Sequence, residues 1–229
     1  MKKRPVVIIL CGGKGERLRP LTQTIPKPLI LIKGRPILAY LLDYLKKFNL
    51  MEIVVAAGYR ADKIRDYFEG NHKDFKVTIV DSGDVDIINR IKDCSHLITD
   101  DFYVFYGDTL ANVDLLQLQS FHHQENAKAT ITLYPLRSQY GLVEIDDDSV
   151  VIEFKEKPVL DKWINIGSFY FNYEVLGWMS EFTCYADFLE FMGSDRKIKG
   201  FRHYGTHITV NTIRELEEAE ENIHEFTAQ

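Results

Sequence analysis

The sequence predicts an α/β fold built on a doubly wound, mostly parallel sheet. Apolar runs at residues 6–10, 53–57 and 102–106 are rich in β-branched and aromatic side chains, as in strands covered on both faces. Residues 37–48 and 61–68, set between such runs, repeat apolar positions at helical spacing instead. Each apolar run gives way to glycine, at Gly12-Gly13, Gly58 and Gly107. Strands alternating with helices imply right-handed crossovers and a parallel sheet, whose ligands sit beyond the carboxyl ends of the strands.

In chain order, Val6-Val7-Ile8-Ile9-Leu10 is the first strand, and it runs into Cys11-Gly12-Gly13-Lys14-Gly15-Glu16-Arg17. Three glycines within four residues permit positive φ and let backbone N–H groups gather around an anion with no Cβ in the way. Lys14, Arg17, Arg19 and Lys27 surround that loop with cations, so a polyphosphate is the expected ligand. A Walker A loop is excluded, since no glycine here is followed by Lys and then Ser or Thr. The dinucleotide fingerprint fails as well, because Leu18 stands where its last small residue belongs.

Residues 29–32 read as a short strand and Gly34-Arg35-Pro36 as a turn. The next helix repeats Ile37, Leu38, Leu41, Leu42, Tyr44, Leu45 and Phe48. Strand 53–57 breaks at Gly58-Tyr59, a helix occupies 61–68, and strands follow at 76–80 and 102–106, the last ending at Gly107-Asp108. Further on, Asp146-Asp147-Asp148-Ser149 is an acidic turn between two strands, which makes a small β-hairpin subregion. Residues 213–226 form a C-terminal helix whose glutamates make a solvated face.

A chain of 229 residues can bury a sizeable core and is expected to be one domain. Hydrophobic content of 45% and charged content of 27% describe an ordinary globule, and a formal charge of −6 argues against a general nucleic-acid binder. Cys11, Cys94 and Cys184 are widely spaced without a C-x-x-C pattern, so neither a disulfide framework nor zinc is indicated. The basic N-terminus precedes an apolar run too short for a signal segment or a membrane span, and a cytoplasmic protein is the expectation. His122-His123 is expected to be solvated on a polar helix. His203 and His207 fall in no zinc pattern.

The order G-G-x-G-x-R-L-x-P-L-T from Gly12, followed by Pro26-Lys27-Pro28-Leu29, resembles the sugar-1-phosphate nucleotidyltransferase family. The resemblance spans nearly the whole chain and implies a Rossmann-like nucleotidyltransferase fold. Residues 1–115 would mainly bind nucleotide, and 116–229 would mainly bind acceptor and supply the C-terminal helix. Leu10, Cys11, Gly12, Gly13, Lys14, Gly15, Glu16 and Arg17 would hold the triphosphate, joined by Gly107 and Asp108. Arg17, Lys27 and Lys157 would be catalytic: Arg17 on the leaving pyrophosphate, Lys27 on the α-phosphate and Lys157 on the acceptor phosphate.

Mg²⁺ is the implied cofactor, with Asp108 and Asn211 as its ligands. From the residues alone, Asp108 is equally a turn or N-cap residue, and Asn211, ahead of Thr212-Ile213-Arg214-Glu215, is also a good helix N-cap. Lys27, between two prolines, also reads as an exposed turn residue. Tyr140-Gly141, Glu156-Lys157 and the Asn165-Ile166-Gly167 stretch match the family's acceptor segments, so Tyr140, Gly141, Glu156, Lys157, Asn165 and Gly167 are expected to bind the sugar phosphate. In isolation Glu156-Lys157 reads as an exposed pair at a strand end.

Asp81, Ser82 and Gly83 fall where relatives read the base, and Arg90-Ile91-Lys92 follows. This looks like the glucose-1-phosphate cytidylyltransferase branch, although Ile88-Asn89 replaces its twin glycines, and no G-T-A or G-T-G triplet of guanylyl or uridylyl relatives occurs nearby. The implied partners are CTP and a sugar-1-phosphate or similar acceptor. The implied reaction is attack of the acceptor phosphate on the α-phosphorus with release of pyrophosphate. GTP, UTP or dTTP in the same chemistry is one alternative, and a binding-only regulatory protein is another. No nucleic-acid or membrane partner is expected, and a homo-oligomer is compatible with the sequence.

Overall fold

The computed structural model describes residues 5–69 and 72–228, so the basic stretch at 1–4 lies outside the described residues. The strands are β1 (Val6–Cys11), β2 (Leu31–Ile32), β3 (Arg35–Pro36), β4 (Glu52–Ala57), β5 (Lys76–Asp81), β6 (Phe102–Tyr106) and β7 (Thr109–Ala111). After them come β8 (Ala129–Arg137), β9 (Leu142–Ile145), β10 (Val151–Lys155), β11 (Val159–Phe171), β12 (Ile198–Arg202) and β13 (His207–Thr209). The helices are α1 (Ile37–Lys47), α2 (Ala61–Phe68), α3 (Ile87–Asp93), α4 (Leu115–Gln124), α5 (Val175–Met179), α6 (Tyr185–Ser194) and α7 (Ile213–Thr227).

Among the described residues seven strands form the central sheet, in the order β5-β4-β1-β6-β11-β8-β12. β11 runs antiparallel to β6 and β8, and every other neighbouring pair is parallel. The expected doubly wound, mostly parallel Rossmann-like sheet is therefore present. Alternation along β1 sorts the core into two layers. Val7 and Ile9 join the layer built on α1, α4 and α7, whereas Val6 and Ile8 join the layer built on α3, α5 and α6.

The chain moves from β1 to β4 and β5 on one side, then returns to β6 on the other. That reversal opens a crevice beyond the carboxyl ends of β1 and β6, where ligands bind in sheets of this kind. The β9–β10 hairpin and the start of β11 come out at this same edge, because β8 runs parallel to β6 in the sheet.

Three local readings need correction. Only Leu31 and Ile32 of the stretch 29–32 pair as a strand, because Pro26 starts a tight turn over Lys27–Leu29. Arg35 and Pro36 are not turn residues but β3, paired with β2 across Lys33 and Gly34. His122 is buried rather than solvated: its ring nitrogens meet Thr130 Oγ1 at 2.8 Å and Asn172 Oδ1 at 2.7 Å. Among the described residues no helix is long and apolar enough to cross a membrane.

Candidate active site

The glycine loop leaves β1 and folds into short turns at Glu16–Leu18, Leu21–Gln23 and Lys27–Leu29. Gly15 sits at φ 61°, in the left-handed region that L side chains avoid, and its carbonyl accepts from Leu18 N at 2.9 Å and Thr22 Oγ1 at 2.8 Å. Gly12 is glycine for a different reason. The buried Arg90 guanidinium lies against it, donating to Gly12 O at 3.1 Å and to Ala57 O at 2.9 Å. A Cβ on Gly12 would stand 1.9 Å from Arg90 Nη1. The loop is thus held from behind by a charged strut, while the space in front of Gly13 is open. Burial presses Arg90 toward its neutral form, opposed by Asp84, Asp81, Asp86 and Asp93.

Lys27 is mostly buried, and its ammonium donates to the Asp108 carboxylate and to Asn211 Oδ1 at 2.7 Å. Arg17 donates to the same Asn211 oxygen at 3.1 Å. Residues from the loop, the end of β6 and the entry to α7 therefore converge across a sequence separation of 194. The alternative readings of Asn211 are separated by geometry. Thr212 caps α7, its hydroxyl accepting from Glu215 N at 3.2 Å. Glu215 reaches back to Asn211 N at 2.6 Å, so the Asn211 side-chain oxygen is committed to the cluster instead. Lys27 is likewise no exposed turn residue.

Two cavities flank this cluster. One of about 390 Å³ is lined by Cys11, Gly15, Glu16, Arg17, Lys27, Pro28 and Asn211. The other, of about 460 Å³, is lined by Gly12, Lys14, Asp84, Val85, Asp86, Ile87, Arg90 and Tyr106. Leu10, Gly13 and Asp108 line both. A larger cavity of about 540 Å³ lies between β13 and α7, but Glu215, Glu218 and Glu225 line it, and such a wall repels a polyphosphate. Cys11 is no nucleophile, since burial, reinforced by Asp108, pushes its thiol up and keeps it protonated.

Gly107 donates its N–H to Leu10 O at 3.0 Å and packs against Cys11 and Pro28, which fixes Asp108 at the crevice. Asp108 and Asn211 offer two hard oxygens that already converge on one cation. That donor chemistry fits Mg²⁺, which takes one or two protein oxygens and completes its shell with phosphates and water.

Other expected site residues lie elsewhere. Asp81 pairs with Arg65 at 3.1 Å and accepts from Gly83 N, and neither it nor Ser82 nor Gly83 lines either cavity. Their place in the second cavity is taken by Asp84, Asp86 and Tyr106, which the reading of the sequence missed. The recurrence of aspartate at 81, 84 and 86 was the available signal. Lys14 pairs with Asp84 at 2.5 Å across the mouth of that cavity. Asp86 Oδ1 accepts from Ile88 N and Tyr185 N, each at 2.9 Å.

Asn165 accepts from Gly167 N at 2.8 Å and hydrogen-bonds the Tyr106 phenol. Burial pushes that phenol up, and the Asn165 bond pulls it part of the way back. Gly167 lies so close to the Tyr106 ring that a Cβ would stand 2.4 Å from it. Tyr140, Glu156 and Lys157 are exposed at the foot of the hairpin, on the same edge of the sheet but outside both cavities. Glu156 and Phe154 crowd Gly141, where a Cβ would meet both.

Known proteins are similar to this chain in sequence and fold. The chain is 31% identical over 235 residues to a probable glucose-1-phosphate cytidylyltransferase of Bacillus subtilis (strain 168), covering 91% of this chain and 92% of that one. It is 32% identical over 194 residues to a UTP–glucose-1-phosphate uridylyltransferase of Synechocystis (strain PCC 6803), covering 75% of this chain but only half of that longer relative. The crystal structure of HddC from Yersinia pseudotuberculosis superimposes with a TM-score of 0.75 at 24% identity, covering 96% of this chain and all of that one. Residues 6–188 match the nucleotidyl transferase family, a stretch that runs through the glycine loop, Lys27, Arg90 and Asp108; with most of its length inside that match, the chain belongs to this family.

Proposed function

We propose that the chain transfers a nucleotidyl group, CMP from CTP, to a sugar-1-phosphate or a related phosphorylated acceptor, with release of pyrophosphate. The observation that carries this reading is the convergence of Arg17, Lys27, Asp108 and Asn211 beside an open glycine loop. An acceptor phosphate oxygen attacks the α-phosphorus in line, and the bond to the β-phosphate oxygen breaks. Both reactants are anions, so positioning and charge neutralisation dominate catalysis. The loop N–H groups and Arg17 take the β- and γ-phosphates and the leaving pyrophosphate. Lys27 turns from Asp108 and Asn211 to the α-phosphate, where charge builds in the transition state. Lys157, at the foot of the hairpin, meets the acceptor phosphate, and Glu156 with Asn165 takes sugar hydroxyls. Asp108 and Asn211 would hold Mg²⁺, which would supply charge neutralisation for the reacting phosphates.

Cytosine is favoured by the name of the Bacillus relative and by the likeness in sequence of residues 81–92 to the cytidylyltransferase branch, not by any contact of Asp81, Ser82 or Gly83 with the cavities. The second cavity adds Asp84 and Asp86, acceptors suited to the cytosine amino group. Guanine also presents donors there, and HddC has been crystallised with GMP-PN, so GTP is the second reading. The test is pyrophosphate release with Mg²⁺, each NTP being run against a panel of sugar-1-phosphates and other phosphorylated acceptors. A signal confined to CTP supports the cytidylyl reading. A signal with GTP alone replaces the base and keeps the chemistry, whereas nucleotide binding without release by any pair overturns the enzyme.

A further inference from the structure

The β9–β10 ribbon carries an apolar face that none of the described residues covers. Its register pairs Val143 with Phe154 and Ile145 with Val151, and paired residues share a face. Ile152, two residues before Phe154, lies on that face too. These five side chains are 55–63% exposed. The opposite face carries Glu144, Glu153 and Lys155, the last two ion-paired at 2.6 Å. The ribbon is therefore amphipathic with its apolar side outward, leaving on the order of 500 Å² of apolar surface in one patch, near the upper limit for an ordinary monomer.

We propose that this face is covered by the same face of a second copy of the chain, the two ribbons packing antiparallel about a two-fold axis. The face holds no charge, so it can meet itself without repulsion, as an isologous contact must. Charge at the two ends sets the direction. The ribbon tip carries Asp146, Asp147 and Asp148, and its foot carries Arg137 beside Glu156 and Lys157, whose charges cancel. Antiparallel packing lays each acidic tip toward the partner's Arg137, whereas parallel packing would set three carboxylates against three. Two such patches bury about 1,000 Å², the size at which specific interfaces begin.

The test is sedimentation of the full chain at low salt over a range of concentrations. The wild type is expected at twice the chain mass, and Ile145→Lys/Ile152→Lys at the chain mass with an unchanged circular dichroism spectrum. Should that variant misfold, reversal of the solvated tip (Asp146→Lys/Asp147→Lys/Asp148→Lys) decides: it should weaken the dimer at least tenfold, and adding Arg137→Asp should recover part of the loss. A monomer at every concentration overturns the proposal. So does a dimer indifferent to the apolar and tip substitutions, since another face would then hold it.

Discussion

The Lys27 ammonium donates to the Asp108 carboxylate and, at 2.7 Å, to Asn211 Oδ1, so one cation already occupies the focus of the two proposed metal ligands. An ammonium and a divalent ion cannot both sit between the same two oxygens. On the proposed mechanism Lys27 must therefore move when the metal arrives, with the α-phosphate as the anion that would draw it away.

Lys27→Met should consequently act in two directions. Turnover should fall by about 10²–10³-fold, the usual loss of one group aimed at developing charge, while the KM for nucleotide stays within about threefold. Binding of Mn²⁺ without nucleotide, followed by calorimetry, should tighten because its competitor is gone. Weaker Mn²⁺ binding in the variant would show that Lys27 supports the metal site rather than competing for it.

Asn211 contributes an oxygen without a charge. Its backbone N–H is fixed by Glu215 and its side chain faces Lys27, so Asn211→Asp adds a negative charge with little rearrangement. The Mg²⁺ concentration for half-maximal rate should drop about tenfold, since affinity follows the charge count of the ligands. Asp108→Asn should shift it the opposite way and remove most of the metal-dependent rate. Identical Mg²⁺ titrations for wild type and both variants would remove these two residues from the metal site.

The crevice was legible in the sequence because its parts are local: an apolar run, a glycine loop and a Gly-Asp at the end of another run. Helix 61–68 and strand 102–106 were legible to the residue, since each ends where its apolar pattern breaks. What depends on packing was not. His122 reads as polar surface, yet Thr130 and Asn172, distant in sequence, bury it with both nitrogens satisfied. Asp81 sits at the expected strand end, but Arg65 on α2 captures its carboxylate, and the chain reaches the second cavity three residues later. Asn211 looked like a cap because it precedes the same helix as Thr212, and only the bond from Glu215 N to the Thr212 hydroxyl distinguishes them.

Arg90 should behave as part of the phosphate loop although it comes 78 residues after Gly12. Arg90→Met removes one of the two donors to each of the Gly12 and Ala57 carbonyls, leaving the N–H groups of Tyr59 and Ser82, which should cost about 1–2 kcal/mol of stability. Nucleotide affinity should fall at least tenfold as the loop loses its strut. Arg90→Lys keeps the charge but not the fork that reaches both carbonyls, so it should recover only part of each loss. Chemical denaturation and calorimetry with CTP measure both. Full nucleotide affinity in a folded Arg90→Met chain would refute the strut.

Stability at acid pH should depend on His207. Its ring lies 4.9 Å from that of Tyr134, in the cavity it shares with Glu215 and Glu218. Burial, with His203 nearby, lowers its pKa from 6.5 to about 4, so the folded chain holds this imidazole neutral where the unfolded chain would protonate it. The unfolded state then binds the extra proton, and stability rises with pH between those values. The contribution is complete above about pH 6.5 and is lost as pH falls toward 4, up to about 3 kcal/mol by linkage. Burial lowers His122 and His203 as well, which adds to the slope. Urea unfolding at pH 7.5, 6 and 5 should therefore give falling midpoints for the wild type, and a shallower fall for His207→Gln, which has no proton to gain. Parallel slopes for the two proteins would place the acid sensitivity in other groups.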